Sequence, residues 1–177
     1  KPMVKIGNKP ILWHIMKIYR HYGFKEFILA LGYKGEYIKD YFLNQKYFLS
    51  DFTLDTKTTR VKYYDNCRLD DFKITFADTG QETLPGERIL RLQKYLEKES
   101  CFMVTYGDGV ADINIKKLIK FHKKQKTIST ITGVHPRIQY GLVTLSKHKI
   151  IKKFVEKPIL SDWVSGGFMV FEKSIFE

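Results

Sequence analysis

The chain has 177 residues, 44% of them hydrophobic and 15% aromatic, enough for a packed core and too apolar for a disordered chain. Lysine and arginine number 31 against 19 aspartate and glutamate, a formal net charge of +12, which favours anionic partners such as phosphorylated metabolites, nucleic acid or an acidic surface. Cys67 and Cys101 build neither a disulfide framework nor a zinc spacing, and no apolar run has membrane-spanning length or signal-peptide form; a soluble cytoplasmic protein with no membrane partner is expected.

The chain starts at Lys1 rather than Met and stops at Glu177, where a new element is about to begin, so both ends read as cut. Lys1 to Lys9 reads as a loop, because Pro2 disfavours helix and Gly7-Asn8 is a turn signal. Pro10 fits the first turn of a helix in which Ile11, Leu12, Ile15, Tyr19 and Tyr22 recur at three- and four-residue steps, closed by Gly23. His14 and His21 fall within it and take no role. Glu26 to Leu31 is a strand-like run ending at Gly32, and Lys34 to Phe42 is a second amphipathic helix using Tyr37, Ile38, Tyr41 and Phe42. Helix, strand, helix implies a strand and loop ahead of Lys1.

Residues 45–71 read as a β excursion, with strands over Thr53 to Thr58 and Arg60 to Tyr64 and polar steps at Asp65-Asn66 and Asp70-Asp71. Phe72 to Ala77 returns to the main sheet. Asp78 to Arg88 is a loop marked by Gly80, Pro85 and Gly86, and Ile89, Leu92 and Leu96 define the helix after it. A helix N-terminus attracts anions. Arg88, in that first turn, is therefore electrostatically out of place unless it faces a carboxylate or a ligand; an exposed arginine without a special role is the plain alternative.

Cys101 to Tyr106 is a short apolar run with the composition of a buried strand, and it stops at Gly107, Asp108 and Gly109. Cys101 reads there as a small packed hydrophobe. Ligands of open α/β sheets sit beyond the carboxyl ends of strands, and Mg²⁺ is commonly held by one or two carboxylates plus substrate phosphates. Asp108 is thus a candidate metal ligand, although D-G is also ordinary turn chemistry. The lysines at 116, 117, 120, 123, 124 and 126 surround an apolar stripe of Ile115, Leu118, Ile119 and His122, which reads as a solvated helix face. Ile128 to Val134 is a strand broken by His135-Pro136, and Gly141 to Leu145 pairs with Ile150 to Val155. Lys157 at the end of that pair, before Pro158, can reach an anion or form a surface salt bridge. Gly166-Gly167 opens a last strand, Phe168 to Phe171, permitting close approach of a ligand or marking a bulge.

The alternation argues for one α/β domain over residues 1–177: a Rossmann-like layer with a mostly parallel mixed sheet flanked by helices and a small β excursion. The order of the segments K-P-M-V-K-I-G-N-K-P-I-L-W-H-I-M-K, G-Y-K-G, D-T-G, T-Y-G-D-G-V-A-D, F-V-E-K-P and G-G-F resembles the sugar-1-phosphate nucleotidyltransferases along essentially the whole chain. Within that family it is most similar to the glucose-1-phosphate cytidylyltransferases.

The resemblance implies CTP and α-D-glucose 1-phosphate as substrates, CDP-glucose and pyrophosphate as products, and Mg²⁺ as cofactor. It puts Lys1 on the nucleotide phosphates, Thr83 and Arg88 at the cytidine pocket, Gly107 beside the nucleotide, and Asp108 on the metal. It puts Lys157 on the sugar phosphate, with Gly141, Glu156 and Gly167 near the sugar. Lys1, Asp108 and Lys157 are then the catalytic set, acting by positioning and charge neutralisation rather than as nucleophiles. A homo-oligomer and a role in supplying deoxysugars of surface polysaccharides are implied as well.

Two departures from the family pattern follow from the ends of the chain. The G-G-x-G-T-R phosphate loop is expected before Lys1 and the second metal carboxylate after Glu177, so the 177 residues alone are expected to be inactive. A third departure is Ser165, where the family often carries Asn, which bears on the choice of sugar. Competing expectations are a sibling using UTP or dTTP and a non-catalytic nucleotide- or sugar-phosphate-binding module. A nucleic-acid partner is not expected, since no binding motif or compact basic stripe with interleaved aromatics is present.

Overall fold

The computed structural model of the chain describes residues 1–64 and 69–177, which group into two compact units: Lys1–Glu99 with Phe176, and Ser100–Ile175 with Glu177. The expected Asp65-Asn66 step and Cys67 lie outside the described residues.

The first unit opens with two short strands, β1 (Lys5–Ile6) and β2 (Lys9–Pro10), paired antiparallel around Gly7 at φ +64°. The expected loop is therefore a tight hairpin. Helix α1 (Ile11–His21) follows, with Pro10 at its N-cap rather than inside its first turn. Leu12, Ile15, Met16 and Tyr19 are its buried stripe, close to the expected apolar repeat. Arg20 and His21 in the last turn complement the helix dipole, and Gly23 leaves the helix at φ +100°. Strand β3 (Glu26–Leu31) has the expected bounds, and α2 (Gly35–Leu43) comes within a residue of them. A five-residue helix α3 (Gln45–Leu49), not expected from sequence, begins the excursion. The hairpin β4 (Phe52–Asp55) and β5 (Arg60–Tyr63) completes it. The first of these strands ends earlier than expected because the Asp55 carboxylate accepts from the N–H groups of Lys57 and Thr58, at 2.9 and 3.2 Å, and turns the chain.

Strand β6 (Lys73–Asp78) runs parallel to β3, Leu31 opposite Asp78. Two aspartates just ahead of β6 clasp α1. Asp70 accepts from Trp13 Nε1–H at 2.6 Å and from Lys17 at 2.8 Å, and Asp71 accepts from Arg20 at 2.5 and 2.8 Å and pairs with Lys25 at 2.7 Å. Helix α4 (Pro85–Arg91) starts at Pro85, three residues before Arg88, and a 3₁₀ turn over Gln93–Tyr95 follows it.

The second unit is built on β7 (Cys101–Val104), α5 (Ile115–Gln125), β8 (Ser129–Val134), β9 (Leu142–Leu145), β10 (Ile151–Val155) and β11 (Val164–Glu172). Strand β11 lies between β7 and β8, antiparallel to both, while β9 and β10 form a separate hairpin. Its core is Ile115, Phe168, Met169 and Val170 together with His122. The mixed α/β layer is as expected, but it is not mostly parallel: among the described residues β3–β6 is the parallel pair and the other pairings are antiparallel. Short turns such as the one joining β9 to β10 can only reverse the chain, whereas parallel neighbours need a long crossover like the one through α2 and the excursion. Gly166 and Gly167 lie inside β11 rather than opening it, at the register shift between Ser165 and Met169. The bulge reading of that pair is thus what the backbone adopts.

Candidate active site

In the first unit the turn Asp78-Thr79-Gly80 follows β6. Asp78 Oδ1 accepts from Gly80 N–H at 2.9 Å, and Thr79, 1% exposed, donates both its N–H and its hydroxyl to Leu31 O at 2.8 Å. Arg88 closes the turn from α4. Its Nη1 donates to Leu31 O at 3.2 Å, Thr79 Oγ1 at 2.6 Å and Gly80 O at 2.7 Å, and its Nη2 to Gln81 O at 3.0 Å. The cation at this helix start faces carbonyl oxygens, which resolves the electrostatic conflict seen in the sequence and removes the alternative of an idle exposed arginine. Arg91 adds a bond to Thr79 O at 2.9 Å and is held by Glu87 one helical turn earlier. Gly80 has φ +86°, and a Cβ there would meet Thr83 Oγ1 at 2.6 Å and Arg91 Nη1 at 2.7 Å, so this turn needs glycine.

Thr83, Arg88 and the D-T-G turn are therefore gathered together. Beside them is a cleft of about 460 Å³ lined by Gly32, Tyr33, Lys34, Glu36, Asp78, Gly80 and Gln81, a volume suited to a small ligand. Lys34, Glu36 and Gln81 carry no role in the sequence reading. Their signal was present in the G-Y-K-G and D-T-G segments, but only the parallel register of β3 and β6 makes the two segments neighbours. Lys1 is exposed ahead of β1 and, among the described residues, its side chain makes no hydrogen bond or ion pair.

In the second unit β7 runs out at Val104, and Thr105 to Asp108 continue past it into a turn. Met169 faces Val104 in the antiparallel register, which carries Gly166-Gly167 alongside Thr105-Tyr106. Gly167 sits at φ +93°, and a Cβ there would meet Tyr106 Cδ2 at 2.8 Å. Thr105 Oγ1 is buried with no hydrogen-bond partner and lies 3.7 Å from that Cβ position. Asp108 is exposed, and among the described residues its carboxylate is committed to no hydrogen bond or ion pair. One free carboxylate, three residues after an unpaired hydroxyl in the chain, suits a hard cation that keeps most of its positions for phosphate oxygens and water. Among the described residues no group of three His, Cys, Asp or Glu side chains forms a ready-made metal cage.

The β9–β10 hairpin brings Gly141 and Glu156 together, since a Cβ on Gly141 would meet Phe154 Cζ and would lie 3.2 Å from Glu156 Oε2. Lys157 follows at φ +44°, a left-handed backbone uncommon for a non-glycine residue and unusual before proline. Its ammonium lies 3.9 Å from Glu156 Oε1 with both side chains more than half exposed, a contact too loose to hold it in place.

The nucleotidyl transferase family model matches residues 1–177. A "Probable glucose-1-phosphate cytidylyltransferase" of Bacillus subtilis (strain 168) is 44% identical over 177 residues, all of this chain and 68% of the relative. The "Glucose-1-phosphate cytidylyltransferase" of Salmonella typhi is 39% identical over 178 aligned positions with the same coverage. Among solved structures, that of HddC from Yersinia pseudotuberculosis superposes with a TM-score of 0.65 over 99% of this chain and 68% of its own, at 24% identity, a likeness of fold. With the family model matched from end to end and relatives at this identity covered over two thirds of their length, the chain belongs to the nucleotidyl transferase family.

Proposed function

We propose that this protein transfers a cytidylyl group from CTP to α-D-glucose 1-phosphate, forming CDP-glucose and pyrophosphate. The observation that carries the reading is unbroken similarity, at 39–44% identity over the whole chain, to relatives named for that activity. The site residues are consistent with it. The turn clasped by Arg88 offers a rigid wall with Thr83 at its side, suited to seating a base. Lys1 and Lys157 are cations on exposed, uncommitted side chains, each able to swing onto a phosphate as a mobile point charge. Gly107 puts no side chain between Asp108 and a nucleotide, Glu156 offers an exposed carboxylate for sugar hydroxyls, and Gly141 and Gly167 let the rings of Phe154 and Tyr106 pack against the backbone at the edge of the sugar position.

The chemistry asks little of covalent catalysis. The sugar-phosphate oxygen attacks the α-phosphorus in line as pyrophosphate departs, so two anions must be held together and aligned. Lys1 neutralises the nucleotide phosphates and Lys157 the sugar phosphate, and Asp108 is the residue that would hold Mg²⁺. Mg²⁺, when bound, offsets phosphate charge and polarises the phosphoryl group under attack. On this reading the reaction is cytoplasmic and its product supplies sugars for surface polysaccharides.

The test is pyrophosphate release by the complete gene product with glucose 1-phosphate, Mg²⁺ and CTP, UTP, dTTP or GTP in turn. CTP is expected to give the highest kcat/KM, by roughly tenfold or more, and a preference for UTP or dTTP would sink the assignment. Asp108→Ala is expected to lower kcat by about 10²-fold or more, while binding of CTP without Mg²⁺ is kept. Unchanged turnover in that variant removes Asp108 from the mechanism.

A further inference from the structure

Trp163 and His135 form a close, tilted ring pair where β8 ends and the chain runs on toward β9. Their ring centroids are 3.8 Å apart with an interplanar angle of 37°. His135 Nδ1–H donates to Asp162 O at 3.1 Å, which fixes the imidazole because a carbonyl can only accept. The indole lies against Gly133, where a Cβ would come within 3.0 Å of Cε3. A side chain at that position would push the ring away. Trp163 is nevertheless 70% exposed. Imidazole, backbone and glycine thus position a large aromatic surface that the fold itself does not cover.

Its place in the sheet indicates what that surface is for. Ser165 pairs with Gly133 and Val164 with Val134. Side chains alternate along a strand, so Trp163 and Ser165 share one face with His135. The pairing continues beyond β8: Arg137 bridges Ile159, Ile138 N–H donates to Pro158 O at 3.1 Å, and Leu160 N–H donates to Pro136 O at 3.0 Å. One two-stranded ribbon therefore carries Glu156 and Lys157 on the approach to Trp163, and Ser165 and Gly167 after it.

We propose that the indole of Trp163, seated by His135, is the stacking surface for the pyranose ring of the sugar phosphate. The proposal rests on the function argued above. A pyranose presents a C–H face that is apolar and a rim of hydroxyls. A flat aromatic surface takes the face, while a hydroxyl and a carboxylate from the same ribbon, Ser165 and Glu156, suit the rim. Lys157 supplies the counter-charge for the phosphate. A nucleobase could also stack on an indole, but the ribbon's polar groups are those a polyol uses, and the Arg88-clasped turn offers the base a separate wall.

Two measurements on the complete gene product test this, with glucose 1-phosphate as the probe. In saturation-transfer NMR the pyranose ring protons are expected to receive strong saturation from the wild type, little from Trp163→Ala and most of it again from Trp163→Phe. In steady-state kinetics Trp163→Ala is expected to raise KM for glucose 1-phosphate about tenfold, with KM for CTP held within about twofold. Sugar saturation and KM unchanged in Trp163→Ala would overturn the proposal, as would a rise confined to CTP, which would assign the indole to the base. Wild-type protein that shows Trp163-dependent sugar saturation but no cytidylyl transfer would support the platform while defeating the function reading. A melting temperature of Trp163→Ala equal to wild type separates lost contact from lost fold.

Discussion

Asp71 shows how one exposed carboxylate can matter at one end of the pH scale and hardly at the other. Hydrogen bonds from Arg20 first and Lys25 second hold its carboxyl well below the usual carboxylate range, against a smaller opposing effect of desolvation. A folded-state value below that of the unfolded chain gives a stabilisation that is complete above about pH 4 and is lost as pH falls toward the folded value. At neutral pH that stabilisation is present in full but small, because the pair is about half exposed and screened by salt. Asp71→Asn is therefore expected to melt within a few degrees of wild type at about pH 7 and to lose less on acidification between about pH 5 and pH 2. Thermal melts across that range at low and high salt check this, and superimposable acid profiles would refute it. Arg20 is the partner in turn: its guanidinium is pushed further up by the bond to Asp71, so it stays charged throughout. The clasp fails from the acid side alone.

Helix α5 is the element in which surface and core divide most cleanly. Asn114 caps it, its side chain accepting from Lys117 N–H at 3.0 Å, and Ile115 and His122 are buried on its inner face. Lys116, Lys117, Lys120, Lys123 and Lys124 are exposed on the other side. His122 is the polar core of the unit. A carboxylate can only accept, so Nε2–H donates to Glu172 Oε1 at 2.9 Å, while Nδ1 bonds Thr130 Oγ1 at 2.8 Å, joining α5 to β11 and β8. His122→Ala leaves a cavity and unpairs the Thr130 hydroxyl, and is expected to cost about 2–4 kcal/mol of unfolding free energy. Lys120→Ala on the outer face is expected to change it by less than about 0.5 kcal/mol. Urea unfolding of both variants tests the contrast, and equal losses would show that the helix is not held by its inner face. The lysine helix, β3, and the β9–β10 hairpin were legible in the sequence because each is long enough to display its own period. Helix α3 was not, since five residues cannot establish a helical repeat. The clasp at Asp70 and Asp71 was hidden for another reason: its partners on α1 lie more than fifty residues away in the chain. Arg88 falls between these cases. Its misfit at a helix start was visible locally, but the carbonyl oxygens that relieve it come from two separate segments, Leu31 at the end of β3 and Gly80-Gln81 after β6. The Trp163–His135 pair was invisible, because it depends on Ser165 facing Gly133 across a pairing that no local pattern encodes.

Across the whole molecule the governing quantity is a formal charge of +12 spread over scattered lysines. A field of that sign draws polyanionic substrates inward and raises encounter rates without binding any of them in place. The effect acts on association, so it should be visible in kcat/KM and absent from kcat. Raising KCl from about 20 to about 300 mM shortens the screening length from roughly 20 Å to under 10 Å. At constant free Mg²⁺ this is expected to lower kcat/KM for CTP by about three- to tenfold with kcat unchanged. The lysines of α5 allow the long-range part to be isolated. Changing Lys116, Lys120 and Lys124 together to Glu takes the formal net charge from +12 to +6 without touching any residue assigned to substrate. The salt dependence of kcat/KM is then expected to weaken while kcat at high salt stays at the wild-type level. A triple variant with an unaltered salt slope would show that the anions feel only the cations proposed to touch them, Lys1 and Lys157. A fall in kcat would instead mean that α5 supports the geometry of the second unit rather than its field.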